Sequence, residues 1–203
     1  MKIICIGRNY GEHAKELNHD VPEEPVVFMK PKSAVLFPGK PLYYPEFSDD
    51  IHYECELVVR ICKNGKYVQE KFAGKYYDAI TVGLDFTARD LQQKQKAKGL
   101  PWEIAKAFDG SAAIGDFIPI TKEMDIKNIN FQLKVNDKIA QTGNSSDMIF
   151  TIDKIIEYVS GFFTLNIGDV IFTGTPSGVG PISVYDKLEG YVEGQKLLHV
   201  DIR

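Results

Sequence analysis

The chain has 203 residues, of which 44% are hydrophobic and 26% charged, so it is long enough for one substantial core and falls in the ordinary globular class. Its net charge of -4 argues against a general nucleic-acid binder, whose phosphate contacts require a basic face. The three cysteines lack C-x-x-C spacing and indicate neither a disulfide framework nor a thiolate zinc site. No segment has the apolar run of a signal peptide or a membrane span. We therefore expect a single cytoplasmic domain over residues 1–203 that binds neither nucleic acid nor membrane.

The first quarter of the chain predicts short strands and one helix. Residues 3–6 are apolar and β-branched enough for a buried strand, and residues 9–17 carry good helix formers. Six prolines from Pro22 to Pro45 restrict that stretch to irregular structure and short strands such as residues 26–29.

Residues 51–61 give the clearest strand signal. Apolar residues alternate there with a second set that includes His52, Glu54, Glu56 and Arg60. Strict alternation predicts one strand with a single core face.

Two further helices are indicated by their ends and their periodicity. Asp90 can cap a helix over residues 91–98 that stops at Gly99. After Thr151, the helical spacing i, i+3, i+4, i+7 continues up to a glycine stop, and its apolar positions are Ile152, Ile155, Ile156 and Val159, with the stop at Gly161.

The remaining apolar segments are typical of strands. They are residues 79–86, residues 131–135 before an Asn-Asp turn, residues 170–173 and residues 196–202. Because strands do not alternate regularly with long helices, a doubly wound or (β/α)₈ fold is disfavoured. The predicted fold class is α+β and mostly β, a mixed β-roll or barrel with a few flanking helices.

Three carboxylates are candidates for a metal site. Glu54 and Glu56 lie two apart on the predicted strand, so their side chains project to the same side, roughly 6.5 Å apart. A hard divalent cation would hold two such groups together, but spacing alone favours a solvated strand face. Asp85, at the end of an apolar run, is the natural third ligand, although it could equally cap the turn at Thr87.

His13 and Glu16 are candidates for acid–base chemistry. They lie three apart on the first predicted helix, where a carboxylate can orient an imidazole and raise its basicity. A surface histidine near a glutamate is common, however, and spacing alone favours that interpretation.

Arg8, Arg89 and Lys106 could bind an anionic substrate, although each residue type is more often a surface charge. Residues 173–180 are rich in glycine but lack the Gly-Lys-Ser/Thr of a P-loop. A nucleotide site is therefore disfavoured, and a tight loop with backbone amides facing a small anion is the better interpretation.

Five motifs in chain order resemble the fumarylacetoacetate hydrolase family. They are GRNY before His13, HYECE at 52–56, GLDFTARD at 83–90, GLPWEIAK at 99–106 and TGTPSGVG at 173–180. The resemblance covers nearly the whole chain. It is similar in detail to the short, single-domain members that act as acylpyruvate hydrolases and oxaloacetate decarboxylases.

The resemblance implies a mostly β roll with flanking helices, usually as a homodimer, and a set of site residues. It implies a Mg²⁺ or Mn²⁺ site on residues that match the family's ligands, namely Glu54, Glu56 and Asp85. His13 and Glu16 match the catalytic dyad, while further active-site polar residues are matched by Arg8, Arg89, Gln92 and Lys106. Thr175 matches the loop position that contacts a substrate carboxylate.

These matches lead to a hypothesis for function on a small 2-keto acid. A bound cation would stabilise the enolate that develops when the bond beyond C3 breaks, either by hydrolysis of an acylpyruvate or by decarboxylation of oxaloacetate. His13, oriented by Glu16, would activate water, and Lys106 would stabilise the oxyanion or the leaving pyruvate enolate. Alternatives that use the same site are keto-enol tautomerisation of oxaloacetate and keto-acid binding without turnover.

Overall fold

The computed structural model describes residues 1–11 and 22–203, and most of its regular structure is β-strand. The strands are β1 (Ile3–Gly7), β2 (Val26–Lys30), β3 (Val35–Leu36), β4 (Ile51–Tyr53), β5 (Cys55–Ile61), β6 (Tyr77–Asp85), β7 (Thr87–Ala88), β8 (Ala112–Ile114), β9 (Ile118–Pro119), β10 (Asn130–Val135), β11 (Lys138–Asn144), β12 (Val170–Phe172), β13 (Gly180–Pro181), β14 (Lys187–Val192) and β15 (Gln195–Asp201). The α-helices of the described ranges are α1 (Arg89–Lys98), α2 (Glu103–Lys106) and α3 (Ile152–Phe162). Short 3₁₀ helices cover Lys32–Ala34, Glu70–Lys75 and Ser145–Asp147.

Three sheets make up the fold. The largest has the order β2-β1-β12-β5-β6-β8-β3, with β9 also paired to β6. It is mixed, because β1 runs parallel to β12 and β3 to β8, while β5 and β6 are antiparallel. A four-stranded sheet has the order β11-β10-β14-β15, and a small sheet the order β13-β4-β7. The predicted mostly β roll of the α+β class is confirmed.

The long strand predicted over residues 51–61 is divided at Glu54. Its first part, β4, pairs with β7 and β13 in the small sheet, whereas β5 pairs with β6 and β12 in the large sheet. The neighbouring chain segment also passes from the large sheet to the small sheet, since β6 ends at Asp85 and β7 begins at Thr87. At this corner the Asp85 N–H donates to the Glu54 carbonyl over 2.9 Å. The two carboxylate-bearing residues therefore meet where two sheets diverge.

The prediction that residues 51–61 have a single core face is wrong, because both faces of β5 are buried. Leu57 and Val59 belong to the main core, while Val58 packs on the other face with Cys5 and Phe172. Glu54 and Glu56 share the face of Val58 by alternation. Alternating polarity could not reveal this, since the second face is covered by segments distant in sequence.

The predicted helix ends need small corrections. Helix α1 begins at Arg89 after Ala88, so Asp90 lies in the first turn, where its carboxylate accepts the Leu91 N–H over 2.7 Å. Gly99 ends the helix with φ 64°, as predicted. Helix α3 continues through Gly161 to Phe162, and its N-cap residue, Thr151, accepts the Lys154 N–H over 3.2 Å.

The first predicted helix, over residues 9–17, falls largely outside the described residues. Within them, Tyr10 forms an antiparallel bridge with Met148 and Asn9 is fully buried, so the helix does not begin at Asn9. The predicted hairpin is confirmed, with Asn136 and Asp137 at φ 50° and 65° between β10 and β11. No helix in the part of the chain that the structure describes is long and apolar enough to cross a membrane.

Candidate active site

The three predicted carboxylates meet at the corner between the two sheets. Glu56 lies opposite Gly83 in the pairing of β5 with β6, and the next position on the same face brings Glu54 beside Asp85. Each residue offers an oxygen within 4.8 Å of the others. Because Glu54, Glu56 and Asp85 are only 7%, 2% and 0% exposed, the alternative of a solvated strand face does not hold.

Cationic side chains surround two members of this acidic triad (Glu54, Glu56 and Asp85). The Lys106 Nζ lies 2.7 Å from both Glu54 Oε2 and Asp85 Oδ2. Arg89 Nη2 lies 2.6 Å from Glu54 Oε1, and Lys30 Nζ lies 2.7 Å from Asp85 Oδ1. Such pairing makes the burial of Glu54 and Asp85 tolerable. The other suggested role of Asp85, capping the turn, is not seen, since the Thr87 hydroxyl donates to the backbone carbonyl of Asp85.

Glu56 has a different environment from its two neighbours. Among the described residues it forms no ion pair, and its Oε2 accepts the Gly174 N–H over 2.6 Å. Burial raises the pKa of Glu56 well above its ordinary value, and the Asp85 and Glu54 carboxylates raise it further. A divalent cation would relieve this repulsion.

Lys106 carries its charge in the same buried setting. Burial disfavours the ammonium, but the Asp85 and Glu54 carboxylates outweigh it and raise the Lys106 pKa. Its Nζ is therefore a charged donor directed at the triad.

Lys30 is a site residue that the sequence analysis missed. Its side chain is fully buried, and beyond Asp85 its Nζ donates to the carbonyls of Ser111 at 3.0 Å, Phe86 at 3.4 Å and Lys106. The only local feature that marks Lys30 in the sequence is its position at the end of the apolar run of β2. A lysine at a strand end is usually a surface residue, so this position does not indicate a buried site. Nothing in the local pattern connects Lys30 to Asp85.

The glycine-rich loop after β12 closes one side of the triad. Gly174 has φ 102°, and a Cβ there would lie 2.7 Å from the Asn9 Cβ, so both the backbone and the space require glycine. The buried Asn9 fastens this loop, since its Nδ2 donates to the carbonyls of Thr173 at 2.7 Å and Phe150 at 3.0 Å. The Gly174 amide faces an anion, as expected of this loop, but the anion is the carboxylate of Glu56.

The Thr175 side chain is committed to the protein. Its hydroxyl donates to the Cys55 carbonyl and accepts from Gln141 Nε2, each over 2.8 Å. Gln141, which the sequence did not indicate as a site residue, also accepts the Cys55 N–H over 2.9 Å. The single hydroxyl proton of Thr175 is therefore already used in the bond to the Cys55 carbonyl.

One cavity collects the predicted site residues that the structure describes. Those that line it are Arg8, Glu54, Glu56, Asp85, Arg89, Gln92, Lys106 and Thr175. Phe28, Lys96 and Trp102 also line it and were not predicted. His13 and Glu16 lie outside the described residues. A cavity of about 960 Å³ elsewhere on the described residues is mainly apolar and contains none of the triad, so the chemistry of the lining and not the cavity volume identifies the site.

The donor set fits a divalent metal ion. Carboxylate oxygens are the ligands that Mg²⁺ and Mn²⁺ prefer, and both ions leave coordination positions for a substrate. The triad supplies three such groups at one buried point, with cations placed around Glu54 and Asp85. The fold and the site thus define a β-roll protein whose buried carboxylate triad could hold a divalent cation.

The chain belongs to the fumarylacetoacetate hydrolase family. The family model described as fumarylacetoacetate (FAA) hydrolase C-terminal matches residues 2–202. The predicted family is therefore confirmed.

Similar proteins come from distant organisms. The chain is 43% identical over 192 residues to the mitochondrial oxaloacetate tautomerase FAHD1 of Homo sapiens, covering 95% of this chain and 87% of that protein. It is 45% identical over 182 residues to the mitochondrial oxaloacetate decarboxylase of Dictyostelium discoideum, covering 89% and 84%. The crystal structure of fumarylpyruvate hydrolase from Pseudomonas aeruginosa in complex with Mn²⁺ and pyruvate matches with a TM-score of 0.93 and 36% identity, covering 100% of this chain and 89% of that one. These names agree with the predicted class of enzyme.

Proposed function

We propose that this protein is a divalent-cation-dependent enzyme that hydrolyses a C–C bond of small acylpyruvates and decarboxylates oxaloacetate to pyruvate. The observation that carries the proposal is the buried triad, whose three carboxylates each offer an oxygen within 4.8 Å of the others. Buried like charges are costly unless they are paired or bind a cation, and Glu56 has no ion pair among the described residues. Relatives named as an oxaloacetate decarboxylase and a fumarylpyruvate hydrolase support both activities.

The side chains around the triad would bind and orient the substrate. A cation held by Glu54, Glu56 and Asp85 would supply Lewis acidity toward a 2-keto oxygen and its neighbouring carboxylate. Arg89, fixed between Glu54 and Gln92, would present a guanidinium to a substrate anion. Lys106 Nζ, held 2.7 Å from two carboxylates, would donate to the oxygen on which negative charge develops.

The general base is proposed from the sequence alone. His13, oriented by Glu16, would take a proton from the water that attacks the distal carbonyl, releasing pyruvate and a carboxylic acid. Decarboxylation of oxaloacetate needs no water, so the same histidine would serve there only as a proton carrier.

Mg²⁺ and Mn²⁺ are both proposed as the working ion. Each ion binds oxygen ligands, and three carboxylates can supply part of its coordination shell. The Mn²⁺ in the fumarylpyruvate hydrolase structure supports manganese for that relative.

A second activity, keto-enol tautomerisation of oxaloacetate, is favoured by one specific observation. A relative 43% identical to this chain is named as an oxaloacetate tautomerase. Tautomerisation requires only proton transfer at C3, which His13 could perform at the same site.

The test follows pyruvate released from acetylpyruvate and from oxaloacetate, with Mg²⁺ or Mn²⁺ and after addition of EDTA. We expect turnover of both compounds that EDTA abolishes, and loss of acetylpyruvate hydrolysis in His13→Ala. A parallel absorbance assay follows the conversion of enol-oxaloacetate to the keto form.

Each outcome has a distinct meaning. Activity indifferent to EDTA would contradict the metal-dependent mechanism. Product that does not accumulate beyond one equivalent per chain would instead favour a keto-acid-binding protein without catalytic turnover. His13→Ala that loses hydrolysis but keeps decarboxylation would support water activation, whereas equal loss of both would point to proton delivery.

A further inference from the structure

We infer that Lys96 determines specificity by binding the distal carboxylate of a dicarboxylic 2-keto acid. The preferred substrates would then carry a second carboxylate, in contrast to acylpyruvates with a neutral acyl end. This inference rests on the proposed function and names the substrate class of the same site.

The position of Lys96 on α1 extends the site away from the triad. Arg89, Gln92 and Lys96 follow the spacing i, i+3, i+7, which places them on one helix face. Arg89 binds Glu54, and Gln92 binds Arg89, so the first turn of this face is anchored at the triad. Lys96 lies seven residues further on, roughly 10 Å along the helix axis, yet it lines the same cavity. A ligand held at the triad would therefore extend toward Lys96.

Lys96 also differs from the other cavity lysine in its partners. Lys106 is paired with two carboxylates, whereas Lys96 forms no ion pair with any residue in the described ranges. The Lys96 Nζ lies 5.5 Å from the centre of the Trp102 ring, a cation–π contact that holds the ammonium without neutralising it.

The surroundings of Lys96 are short of negative charge. Burial lowers the Lys96 pKa to about 8, and the positive charges of Arg89 and Arg8 contribute to the lowering. A half-buried ammonium in this setting gains more from a ligand carboxylate than a solvated surface lysine would.

The charges of the whole cavity agree with a dianionic ligand. Among the described lining residues, four cationic side chains face three carboxylates, an excess of one positive charge before any metal ion binds; the cationic residues are Arg8, Arg89, Lys96 and Lys106. A divalent cation raises that excess to three. A ligand with two carboxylates offsets more of it than a monocarboxylate does.

A competing feature lies next to the site. A neighbouring cavity of about 400 Å³ shares Phe28, Trp102 and Lys106 with the site and also contacts Val26 and Leu100. It could take an apolar acyl chain. It does not include Lys96, so substrate selectivity separates the two arrangements.

The experiment compares two substrates that differ only beyond the scissile bond. Fumarylpyruvate has a distal carboxylate, whereas acetylpyruvate ends in a methyl group, and hydrolysis of either releases pyruvate. In Lys96→Gln we expect the KM for fumarylpyruvate to rise about 10- to 100-fold, as for loss of a hydrogen bond to a charged group, with kcat within about twofold. The KM for acetylpyruvate should stay within about twofold, because that substrate places no anion at Lys96.

Two further variants control for charge and fold. Lys96→Arg keeps the cation and should restore the KM for fumarylpyruvate to within about threefold of wild type. Lys98→Gln removes an exposed lysine of the same helix and should change neither KM. Mn²⁺ affinity, measured by calorimetry, should stay within about threefold in all four proteins, since no ion pair joins Lys96 to a triad member among the described residues and Glu54 acts on Lys96 only through space.

Three results would overturn the inference: an equal rise of both KM values in Lys96→Gln, an unchanged KM for fumarylpyruvate, or a wild-type preference for acylpyruvates with long apolar chains. A wild type that turned over neither substrate would contradict the proposed function instead. Calorimetry on Mn²⁺-loaded protein would then still test Lys96, because fumarylpyruvate must bind wild type more tightly than Lys96→Gln.

Discussion

Of the three triad carboxylates, Glu56 has the fewest contacts with positively charged groups among the described residues. Glu54 and Asp85 each contact charged nitrogens at 2.6 to 2.7 Å, while Glu56 accepts a backbone N–H from Gly174. It stands beside two like charges at full burial, an arrangement that favours capture of a cation. Substitution of Glu56 should therefore weaken metal binding without lowering the stability of the fold.

Glu56→Gln keeps the shape and an acceptor for the Gly174 N–H but removes one negative charge. Loss of an outer partner of a metal ligand costs about 10- to 100-fold in affinity, so loss of a proposed ligand should weaken Mn²⁺ binding by at least about 100-fold. The metal-free variant should be at least as thermally stable as metal-free wild type, because repulsion with Asp85 and Glu54 is relieved. Calorimetric Mn²⁺ titration and thermal melts check both statements.

The matched control is Glu46→Gln, which removes an exposed carboxylate and should leave Mn²⁺ affinity unchanged. Wild-type affinity in Glu56→Gln would remove this residue from the metal site.

The ionisation of Lys96 predicts a pH dependence that is specific to one substrate. Its pKa of about 8 is lowered by burial and by the nearby Arg89, Arg8 and Lys106, against an opposing effect of Glu54. The ammonium is present below that pH and lost above it, so kcat/KM for fumarylpyruvate, divided by that for acetylpyruvate, should fall as pH rises through about 8. In Lys96→Arg the ratio should stay level, because a guanidinium remains charged. A ratio independent of pH in wild type would argue against the charge of Lys96 in binding.

At the scale of elements, Lys30 connects three parts of the fold. It ends β2, forms an ion pair with Asp85 at the end of β6, and donates to the carbonyl of Lys106 at the end of α2. The same ammonium thus orients one carboxylate of the triad and the backbone of the lysine that contacts the triad. The corner between the sheets depends on a residue brought from more than fifty positions away in sequence.

Lys30→Met should destabilise the fold strongly. The substitution keeps an unbranched chain of similar length but leaves Asp85 and three carbonyls without this donor. Removal of one partner of a buried ion pair typically costs about 3–5 kcal/mol, and urea denaturation measures that loss. Lys32→Met, an exposed lysine two residues on, should cost less than about 0.5 kcal/mol. Equal small effects of both variants would mean that Lys30 does not hold the corner.

At the scale of the whole molecule, a bound cation should stabilise the folded state. The proposed ligands come from two separate chain segments and are assembled only on folding, so an ion binds the native chain in preference to the unfolded one. With the ion at about 100 times its Kd the gain is about 2.7 kcal/mol, which corresponds to roughly 5–10 °C in Tm for a chain of this size. Scanning calorimetry with EDTA and then with excess Mn²⁺ should show this shift. The same shift in Glu56→Gln would place the stabilising ion elsewhere.

The homodimer implied by the family resemblance remains a prediction. Light scattering coupled to size-exclusion chromatography should give a mass of about twice the 22.8 kDa of one chain at micromolar concentration. A mass of one chain across the concentration range would contradict it.

Amino-acid pattern predicted much of the local structure and the identity of the acidic residues. Alternation, turn residues and helix stops located β1, β2, the β10–β11 hairpin and α3, because these depend on neighbours within a few positions. Ordered motifs added the family and the triad, which spacing alone left as a solvated strand face.

Side-chain periodicity specifies the face of a strand but not the strand beside it. The break at Glu54, the burial of the second face of β5, and the arrival of Lys30, Asn9 and Gln141 at the site all depend on contacts far apart in sequence. Folding brought Asp85 beside Glu54 by a register between β5 and β6 that no local signal encodes. The sequence by itself therefore determined which acidic residues form the triad. The burial of the triad and the cations around it were decided by the tertiary structure, because they depend on packing between segments distant in sequence.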